Sequence, residues 1–397
     1  MLYNAAFRGK VLAISHMSMR SANRTLYRSL RRCGIDVELI VPSRLVYDGL
    51  QISAEPGQAD DPPIHILEPQ WRNLRLLRYR ALTRFLAAIR PNVIVAEADT
   101  ASLLALETGR WCRRNGAKLI CRTNENLSWN PLASIARGGL SALPHSLLKC
   151  AVNRLNAQNV SAVCVTSFEA LRLFQTAGFQ SPVNIPLGTD RVRFRYSSRT
   201  RYSARQELGL QAGETVVSYF GRLVPEKGVD LLIDALCRLT AFKWRLLLNS
   251  FQTASAYSKD IHKRLVRGGI AERTNWIRSK HGELARYFAA SDITVLPSRT
   301  TPKWVEQFGR VVPEAMACGN LVIVSDSGTP KELVGHSGLV FPEGDASALE
   351  QTLRNALSDP ADCLARRKAA IRHVHRNLQV DIEAQHYIEL FKNVVST

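Results

Sequence analysis

The sequence is short of acidic residues, of aromatic residues and of long apolar runs. Its 397 residues include 34 Asp/Glu against 53 Lys/Arg, which leaves a formal net charge of +19. Both halves of the chain share this excess, which favours anionic partners such as phosphorylated substrates, acidic lipid surfaces or nucleic acid. Aromatic residues make up only 7% of the chain and no recognised nucleic-acid motif is present, so we expect no nucleic-acid partner.

The sequence also lacks closely spaced cysteine pairs and apolar runs of membrane-spanning length. The eight cysteines include no C-x-x-C pair, which is typical of proteins in a reducing compartment. No window approaches the roughly 18 apolar residues that a membrane span needs, and residues 1–10 lack the apolar core of a signal peptide. We therefore expect a cytoplasmic location, either free or peripheral on the inner face of the cytoplasmic membrane.

What the chain does contain is a long alternation of apolar strands and helical segments. The first strand is predicted at 10–15, and similar strands recur to about residue 341. This alternation predicts α/β domains with doubly wound parallel sheets, and the length favours two of them. The expected N-terminal domain covers 1–190 together with a final crossing helix at 381–397, and the C-terminal domain covers 191–380.

Two basic amphipathic helices are predicted in the first half, at 21–33 and 71–89. The first places four arginines on one face, namely Arg20, Arg24, Arg28 and Arg31. Such a stripe has two interpretations, a solvated helix surface or a surface that faces an anion such as an acidic membrane.

Two stretches in the second half combine charge with glycine at the ends of predicted strands. In the first, Gly221 allows close backbone approach, and Arg222 and Lys227 precede a helix, which favours a pyrophosphate. In the second, Glu306 and Glu314 lie in a loop and helix between two strands, where carboxylates suit sugar hydroxyl groups. The alternative is that the cations are solvated turn residues and that Glu314 only stabilises its helix dipole.

Together these stretches resemble the nucleotide-sugar half of the retaining family-4 glycosyltransferases, the glycogen synthase-like group. The matching residues are Gly221-Arg222, Glu226-Lys227-Gly228, the E-x7-E pair Glu306 and Glu314 around Phe308-Gly309, and the segment 326–332. The similarity runs from about residue 160 to 350. It implies the GT-B fold, an α/β architecture of two Rossmann-like doubly wound parallel-sheet domains facing a central cleft.

The resemblance also implies roles for single residues. Arg222 and Lys227 would neutralise the departing diphosphate, and Glu306 would contact the transferred sugar. Donor binding would fall to Gly221, Phe308, Gly309, Arg310 and Glu314, with Glu314 on the ribose and with Arg278, in the segment 277–281, near the base. The donor would be a UDP-, GDP- or ADP-sugar, with no cofactor and no metal required.

The N-terminal half departs from the family pattern in two places. The loop after the first strand, 15–20, lacks the usual glycine pair, so we assign His16 to the acceptor side. The family's histidine after the strand at 118–121 is also missing, and Asn124 or Glu125 either takes its place or only caps a loop.

The expected reaction is hexose transfer to a lipid-linked, polysaccharide or lipopolysaccharide acceptor in cell-envelope glycan synthesis. Glu97 and Asp99 superficially resemble a metal-binding pair, but this reading needs no metal. The alternatives are another GT-B enzyme, such as a sugar-nucleotide epimerase or a phosphorylase, or a basic nucleic-acid-binding protein.

Overall fold

The computed structural model describes residues 7–47, 50–71, 76–250, 255–279 and 283–396. The chain divides into two compact units, each with its own parallel sheet. Unit 1 comprises Met1–Gly188 and Val380–Thr397, and unit 2 comprises Thr189–Gln379. The predicted α/β class with doubly wound parallel sheets is confirmed.

Unit 1 is built on a sheet with the strand order β11-β10-β9-β8-β1-β2-β5, in which all neighbours are parallel. Its strands are β1 (Lys10–Ser15), β2 (Asp36–Pro42), β3 (Arg44–Tyr47), β4 (Leu50–Ser53), β5 (Ile64–Leu67), β6 (Pro69–Trp71), β7 (Arg78–Tyr79), β8 (Val93–Glu97), β9 (Lys118–Arg122), β10 (Ala162–Val165) and β11 (Pro182–Asn184). Its helices are α1 (Thr25–Arg32), α2 (Leu82–Ile89), α3 (Leu103–Asn115), α4 (Pro131–Gly138), α5 (Leu143–Ala157) and α6 (Phe168–Thr176). Buried clusters cover both faces of the sheet, which fits the apolar interiors of β1, β8 and β9.

Unit 2 repeats the architecture with the strand order β14-β13-β12-β15-β16-β17. Its strands are β12 (Thr215–Gly221), β13 (Trp244–Ser250), β14 (Thr274–Ile277), β15 (Ile293–Leu296), β16 (Leu321–Ser325) and β17 (Leu339–Phe341). Its helices are α7 (Ser198–Glu207), α8 (Val229–Cys237), α9 (Ala256–Arg267), α10 (Leu284–Ala290), α11 (Val311–Ala317), α12 (Pro330–Val334), α13 (Ala346–Ser358) and α14 (Pro360–Asn377).

The last helix, α15 (Val380–Ser396), is part of unit 1. It packs beside α1, and its apolar face, which includes Ala384, Tyr387 and Phe391, is buried in the unit 1 core. At its start, Ser29 Oγ donates a hydrogen bond of 2.6 Å to Asp381. The C-terminal end of the chain therefore completes the N-terminal sheet's helical layer.

The predicted helix at 71–89 is wrong over much of its length. Residues 72–75 lie outside the described part, and α2 begins only at Leu82. Before it, β6 and β7 form a short antiparallel pair that buries Tyr79. The helical spacing of leucines across 74–89 misled the prediction because Leu77 enters the core from extended backbone rather than from a helix.

The arginine stripe of the first predicted helix is also not the free cationic surface that one interpretation required. Arg24 is fully buried and forms an ion pair of 2.8 Å with Asp61. Arg28 Nε lies 2.8 Å from the same carboxylate, and Arg31 donates to the Asp61 backbone. The loop at 53–63 folds over the stripe and pairs Arg24 and Arg28 with Asp61, while Arg20 and Arg31 stay exposed, so the four side chains do not form one free cationic face.

Among the described residues, no helix combines the length and the apolar character that crossing a bilayer would take.

Candidate functional site

The two charged stretches of unit 2 meet at the centre of its sheet. β12 and β15 are hydrogen-bonded neighbours, although β13 and β14 lie between them in the sequence. The order of the sheet therefore reverses at this point, where the loops after the two strands leave a crevice at the carboxyl edge. Gly221 ends β12 and Leu296 ends β15, so both candidate stretches begin at this crevice.

A glycine brings the two loops together. Lys227 closes the 3₁₀ turn Pro225–Lys227, and Gly228 follows with a φ of +62°. A Cβ atom at Gly228 would lie 1.9 Å from the carbonyl oxygen of Pro297, so only glycine permits this approach. In addition, the Arg299 N–H donates to the Glu226 carbonyl at 2.8 Å. The position of Lys227 is thereby set by the loop after β15.

Glu306 is buried, with only 5% of its surface exposed. Ser298 Oγ donates to Glu306 Oε2 at 2.7 Å, and Lys227 Nζ forms an ion pair with the same oxygen. The backbone is held as well: the Thr329 N–H donates to the Glu306 carbonyl at 3.1 Å, and Gly328 packs against that carbonyl with a φ of +65°. The carboxylate is therefore placed by contacts from three separate segments.

The cations of this crevice differ in how they are held. Lys227 Nζ lies 5.0 Å above the centre of the Trp304 ring in addition to its contact with Glu306. Arg222 is half-buried directly after β12, and its carbonyl oxygen accepts a hydrogen bond of 2.6 Å from Tyr219. Burial, and secondarily the Glu306 carboxylate, raises the pKa of Tyr219, so its hydroxyl remains a donor at neutral pH.

The remaining predicted donor residues of this region lie on α11 and in the loop just before it. Gly309, with a φ of +71°, precedes the helix in a position where a Cβ atom would lie 2.8 Å from Leu296. Phe308 is buried beside it. Glu314 is 3% exposed, and Arg310 Nη2 lies 3.7 Å from its Oε1 atom. Pro313 belongs to the first turn of α11, where its missing N–H costs no helical hydrogen bond.

Arg278 is placed away from this cluster. It is exposed directly after β14, which is two strands from β12 in the sheet. Residues 280 and 281 of the predicted base-recognition segment lie outside the described part of the chain. The structure thus joins Lys227 to Glu306 and Arg310 to Glu314, while it leaves Arg278 apart.

Unit 1 has an equivalent switch point between β1 and β8, and side chains fill it. His16 Nδ1 lies 3.2 Å from the Glu97 carbonyl, and burial lowers the pKa of His16. The Glu97 carboxylate accepts hydrogen bonds from Ser15 Oγ and from Tyr27 at 2.7 Å, and it pairs with Arg122 at 2.9 Å. These contacts occupy the carboxylate that superficially resembles a metal ligand. Within the described ranges, no group of three or more His, Cys, Asp or Glu side chains could hold a metal ion.

The other N-terminal candidates follow β9. Asn124 is exposed. Glu125 forms an ion pair with Lys149, whose Nζ also lies 3.3 Å from Asp99. The Leu127 N–H donates to Glu125 Oε1 at 3.2 Å, so the loop-capping contact is present. Glu125 is therefore fixed by α5 from one side and by its own loop from the other.

Sequence reasoning missed several residues that complete these sites. Trp304 lies only two residues before Glu306, and an aromatic residue so close to a buried carboxylate was an available signal. Lys149 is one of only two charged residues in a leucine-rich helix, which is also visible in the sequence. Glu383, which pairs with Arg122 and accepts a hydrogen bond of 2.7 Å from the Gly188 N–H, gave no such signal because it lies in the distant last helix.

The geometry lies within a stretch that matches a known family. Residues 201–373, which lie in unit 2, match the model of the glycosyl transferases group 1. A D-inositol 3-phosphate glycosyltransferase of Segniliparus rotundus is 30% identical over 56% of this chain and 50% of that protein. A lipopolysaccharide core biosynthesis mannosyltransferase of Rhizobium leguminosarum bv. viciae is 29% identical over 43% and 49% of the respective chains.

Another relative aligns over a longer region. A GDP-mannose-dependent monoacylated phosphatidylinositol monomannoside mannosyltransferase of Corynebacterium glutamicum is 28% identical over 74% of both chains. This chain thus spans about half the length of the first two relatives and about three quarters of the third.

Solved structures show that the fold is that of GT-B glycosyltransferases. A sucrose-phosphate synthase of Thermosynechococcus elongatus superposes with a TM-score of 0.75 at 20% identity, over 98% of this chain and all of that one. HepE of Anabaena in complex with UDP superposes with a TM-score of 0.74 at 20% identity, over 97% of this chain and all of that one.

Proposed function

We propose that this chain, whose residues 201–373 match the glycosyl transferases group 1, is a retaining transferase that moves a hexose from a nucleotide-diphosphate sugar. The observation that carries the proposal is the contact of Lys227 with the buried Glu306 at the switch point between β12 and β15. A cation and a carboxylate at this edge of the sheet match the two ends of the bond to be broken, diphosphate on one side and sugar on the other.

The proposed chemistry depends on stabilising the leaving group. As the anomeric bond lengthens, negative charge develops on the diphosphate, and preorganised cations lower the free energy of that state. Arg222 and Lys227 would supply those charges, with Lys227 moving from Glu306 to the phosphate oxygens. Glu306, still held by Ser298, would then accept a hydrogen bond from a hydroxyl group of the transferred sugar. Because departure and attack use the same face of the sugar, its anomeric configuration is retained.

The rest of the donor would lie along α11. We assign Glu314 to the ribose hydroxyls, the N–H groups of Phe308, Gly309 and Arg310 to the sugar and phosphate oxygens, and Arg278 to the side of the base. Gly221 leaves room for the diphosphate to approach the backbone. The proposal includes no cofactor and no metal, since the two side-chain cations supply the charge that a metal would otherwise provide.

The proposed acceptor is a lipid-linked sugar or a polysaccharide or lipopolysaccharide chain of the cell envelope. The lipopolysaccharide and phosphatidylinositol mannoside relatives support this class, and the net charge of +19 suits an anionic acceptor surface. His16, Asn124 and Glu125 are the unit 1 residues assigned to it. Such an acceptor would place the protein in the cytoplasm, peripherally on the inner face of the membrane.

The proposal is tested by thermal-shift measurements with UDP-, GDP- and ADP-sugars. One of these donors should raise the melting temperature of the wild-type protein, and Lys227→Gln and Arg222→Gln should remove the shift. Lys303→Gln is the matched control, because Lys303 is exposed in the same loop as Glu306 and has no proposed role. A donor shift that survives both the Lys227 and the Arg222 substitutions would refute the diphosphate assignment. Sugar transfer is then monitored by measuring the release of the nucleoside diphosphate. Epimerisation of the donor without transfer would favour the epimerase alternative.

A further inference from the structure

The helix α5 of unit 1 has the reverse of the usual amphipathic pattern. α5 buries four polar side chains, Ser146, Lys149, Asn153 and Asn156. It exposes three leucines, with 51% of Leu147, 64% of Leu148 and 62% of Leu155 accessible. An ordinary helix on the surface of a globular protein does the reverse.

The buried polar stripe explains why the helix has this orientation. Ser146 donates to the Trp129 carbonyl at 2.5 Å, and Thr100 Oγ1 donates to Asn153 at 2.8 Å. Asn156 Nδ2 donates to the Thr100 carbonyl at 2.6 Å. Lys149 holds Glu125 and Asp99, as described above. These contacts hold the polar face of α5 against the loops after β8 and β9. The leucines on the opposite side of the helix therefore point outward.

The outward leucines of α5 lie on one side of the helix rather than around it. At about 100° per residue, Leu147, Leu148 and Leu155 fall within an arc of about 100° of the helix circumference. Two further leucines are still more exposed on the preceding segments that pack against α5: Leu132 on α4 at 78% and Leu140 at 76%. We call these five residues the leucine face.

The segment that carries the leucine face has charges of only one sign. Between residues 126 and 168 the sequence contains no Asp and no Glu. Arg154 lies directly beside the leucine arc of α5 and is exposed. An apolar arc with an arginine at its edge, on an α4–α5 hairpin without acidic residues, suits the interface of an anionic bilayer. A contact with a second copy of a protein gives no reason for a hairpin without acidic residues.

We propose that the leucine face of α4 and α5 is the surface by which this protein binds an anionic lipid bilayer. The leucines enter the acyl boundary while Arg154 remains at the level of the lipid phosphates. The proposal does not use the arginine stripe at 20–31, because Arg24 and Arg28 are already paired with Asp61. The inner face of the same helix fixes Glu125, so bilayer contact brings a lipid-linked acceptor to the loop after β9; this last step rests on the proposed function.

The test is vesicle flotation of the full chain without donor. Wild-type protein should float with vesicles of phosphatidylglycerol and phosphatidylcholine far more than with phosphatidylcholine alone. Leu147→Gln/Leu148→Gln/Leu155→Gln should lower the partition coefficient at least tenfold, and Arg154→Gln should lower it only for anionic vesicles. The matched control, Val266→Gln/Leu364→Gln/Val395→Gln, removes three exposed apolar residues elsewhere and should leave partitioning within twofold.

A second variant keeps the test independent of folding defects. Leu148→Trp adds one tryptophan to the leucine face, and its emission is obtained by subtracting the wild-type spectrum. This emission should shift to shorter wavelength when anionic vesicles are added. Flotation of the triple variant at the wild-type level, absence of this shift, or equal wild-type binding to both vesicle types would overturn the proposal. The proposal would also be overturned if the wild-type protein were a dimer and the triple variant a monomer, since the leucine face would then bind a second copy of the chain. The donor thermal shift is a separate readout, so its absence alone would reject the proposed function and leave the leucine face untouched.

Discussion

The two switch points of this chain share a topology and differ in what fills them. In unit 2, glycine at 228 lets two loops approach, and the ion pair between Lys227 and Glu306 lies at the carboxyl edge. In unit 1, Glu97 is bonded by Ser15, Tyr27 and Arg122. A ligand can exchange with one ion pair, whereas displacing a fully bonded buried network leaves several polar groups without partners.

This difference teaches that fold position alone does not make a binding site. Arg122 lies between Glu97 and Glu383, and Glu383 in turn receives the Gly188 N–H. The network therefore ties the last helix to the centre of the sheet and has a structural role. The four predictions below would break or sharpen this contrast between a functional and a structural switch point.

The largest expected effect is on catalysis at the unit 2 switch point. Glu306→Gln should lower kcat roughly 10²- to 10³-fold, the size typical of losing one preorganised contact to the reacting group. The unfolding free energy should fall by less than in an Arg122 variant, because the amide keeps the shape and the Ser298 contact and leaves one cation, not two carboxylates, without its partner. Steady-state kinetics measure kcat, and urea denaturation measures the unfolding free energy. A stability loss as large as that of an Arg122 variant would erase the contrast.

The unit 1 network should respond in the opposite way. Arg122→Gln leaves the buried carboxylates of Glu97 and Glu383 without their cation, which should lower the unfolding free energy by about 3–5 kcal/mol. Arg44→Gln, which breaks an exposed ion pair with Glu68, is the control and should cost less than about 1 kcal/mol. Urea denaturation compares the two, and equal costs would show that the network is not structural.

The glycine requirement can be tested by a matched pair. Gly228→Ala places a Cβ atom 1.9 Å from the Pro297 carbonyl and should displace Lys227, which removes donor stabilisation in the thermal-shift assay. Gly116→Ala also has a positive φ, of +72°, but no atom lies within 4 Å of the added Cβ. It should cost about 1 kcal/mol of stability and leave donor binding intact. Retained donor binding in Gly228→Ala would contradict the role of the close approach.

The smallest effect concerns pH. Burial lowers the pKa of His16 in unit 1 and of His373 in unit 2, so the unfolded chain takes up these protons more readily than the folded one. Stability from these groups is complete above the usual histidine pKa of about 6.5 and is lost as pH falls through it. His16→Gln/His373→Gln should therefore flatten the fall in melting temperature between pH 7 and pH 5. The control His145→Gln, at an exposed position, should keep the wild-type slope.

The sequence predicted the elements that local patterns encode. Continuous apolar runs such as 293–296 and 321–324 became buried strands, because a parallel sheet covered on both faces needs such runs. The stretches around Lys227 and Glu306, which together carry the family resemblance, are in direct contact. The roles assigned to those residues and the assignment of Arg278 to the base stay predictions.

The failures share one cause, which is dependence on residues far away in the chain. Arg24 looks like a surface residue in its helix, yet Asp61 across the fold makes its burial favourable. The pattern over 71–89 predicts a helix, but the antiparallel pairing of β6 with β7 competes successfully in part of it. Likewise, the leucines of α5 would ordinarily face inward, and only its bonds to Trp129 and Thr100 turn them out.

By itself, then, the sequence determined the alternation of strands and helices, the spread of excess basic charge over both halves of the chain, and the two motifs of unit 2. Each of these depends on neighbours along the chain. Only the tertiary structure decided which charges remain exchangeable. Arg122 and Glu383 are 261 positions apart, and their contact exists because α15 packs on the unit 1 sheet. Burial and pairing depend on the whole fold, so the same kind of charged side chain becomes a candidate catalytic group in one unit and a structural tie in the other.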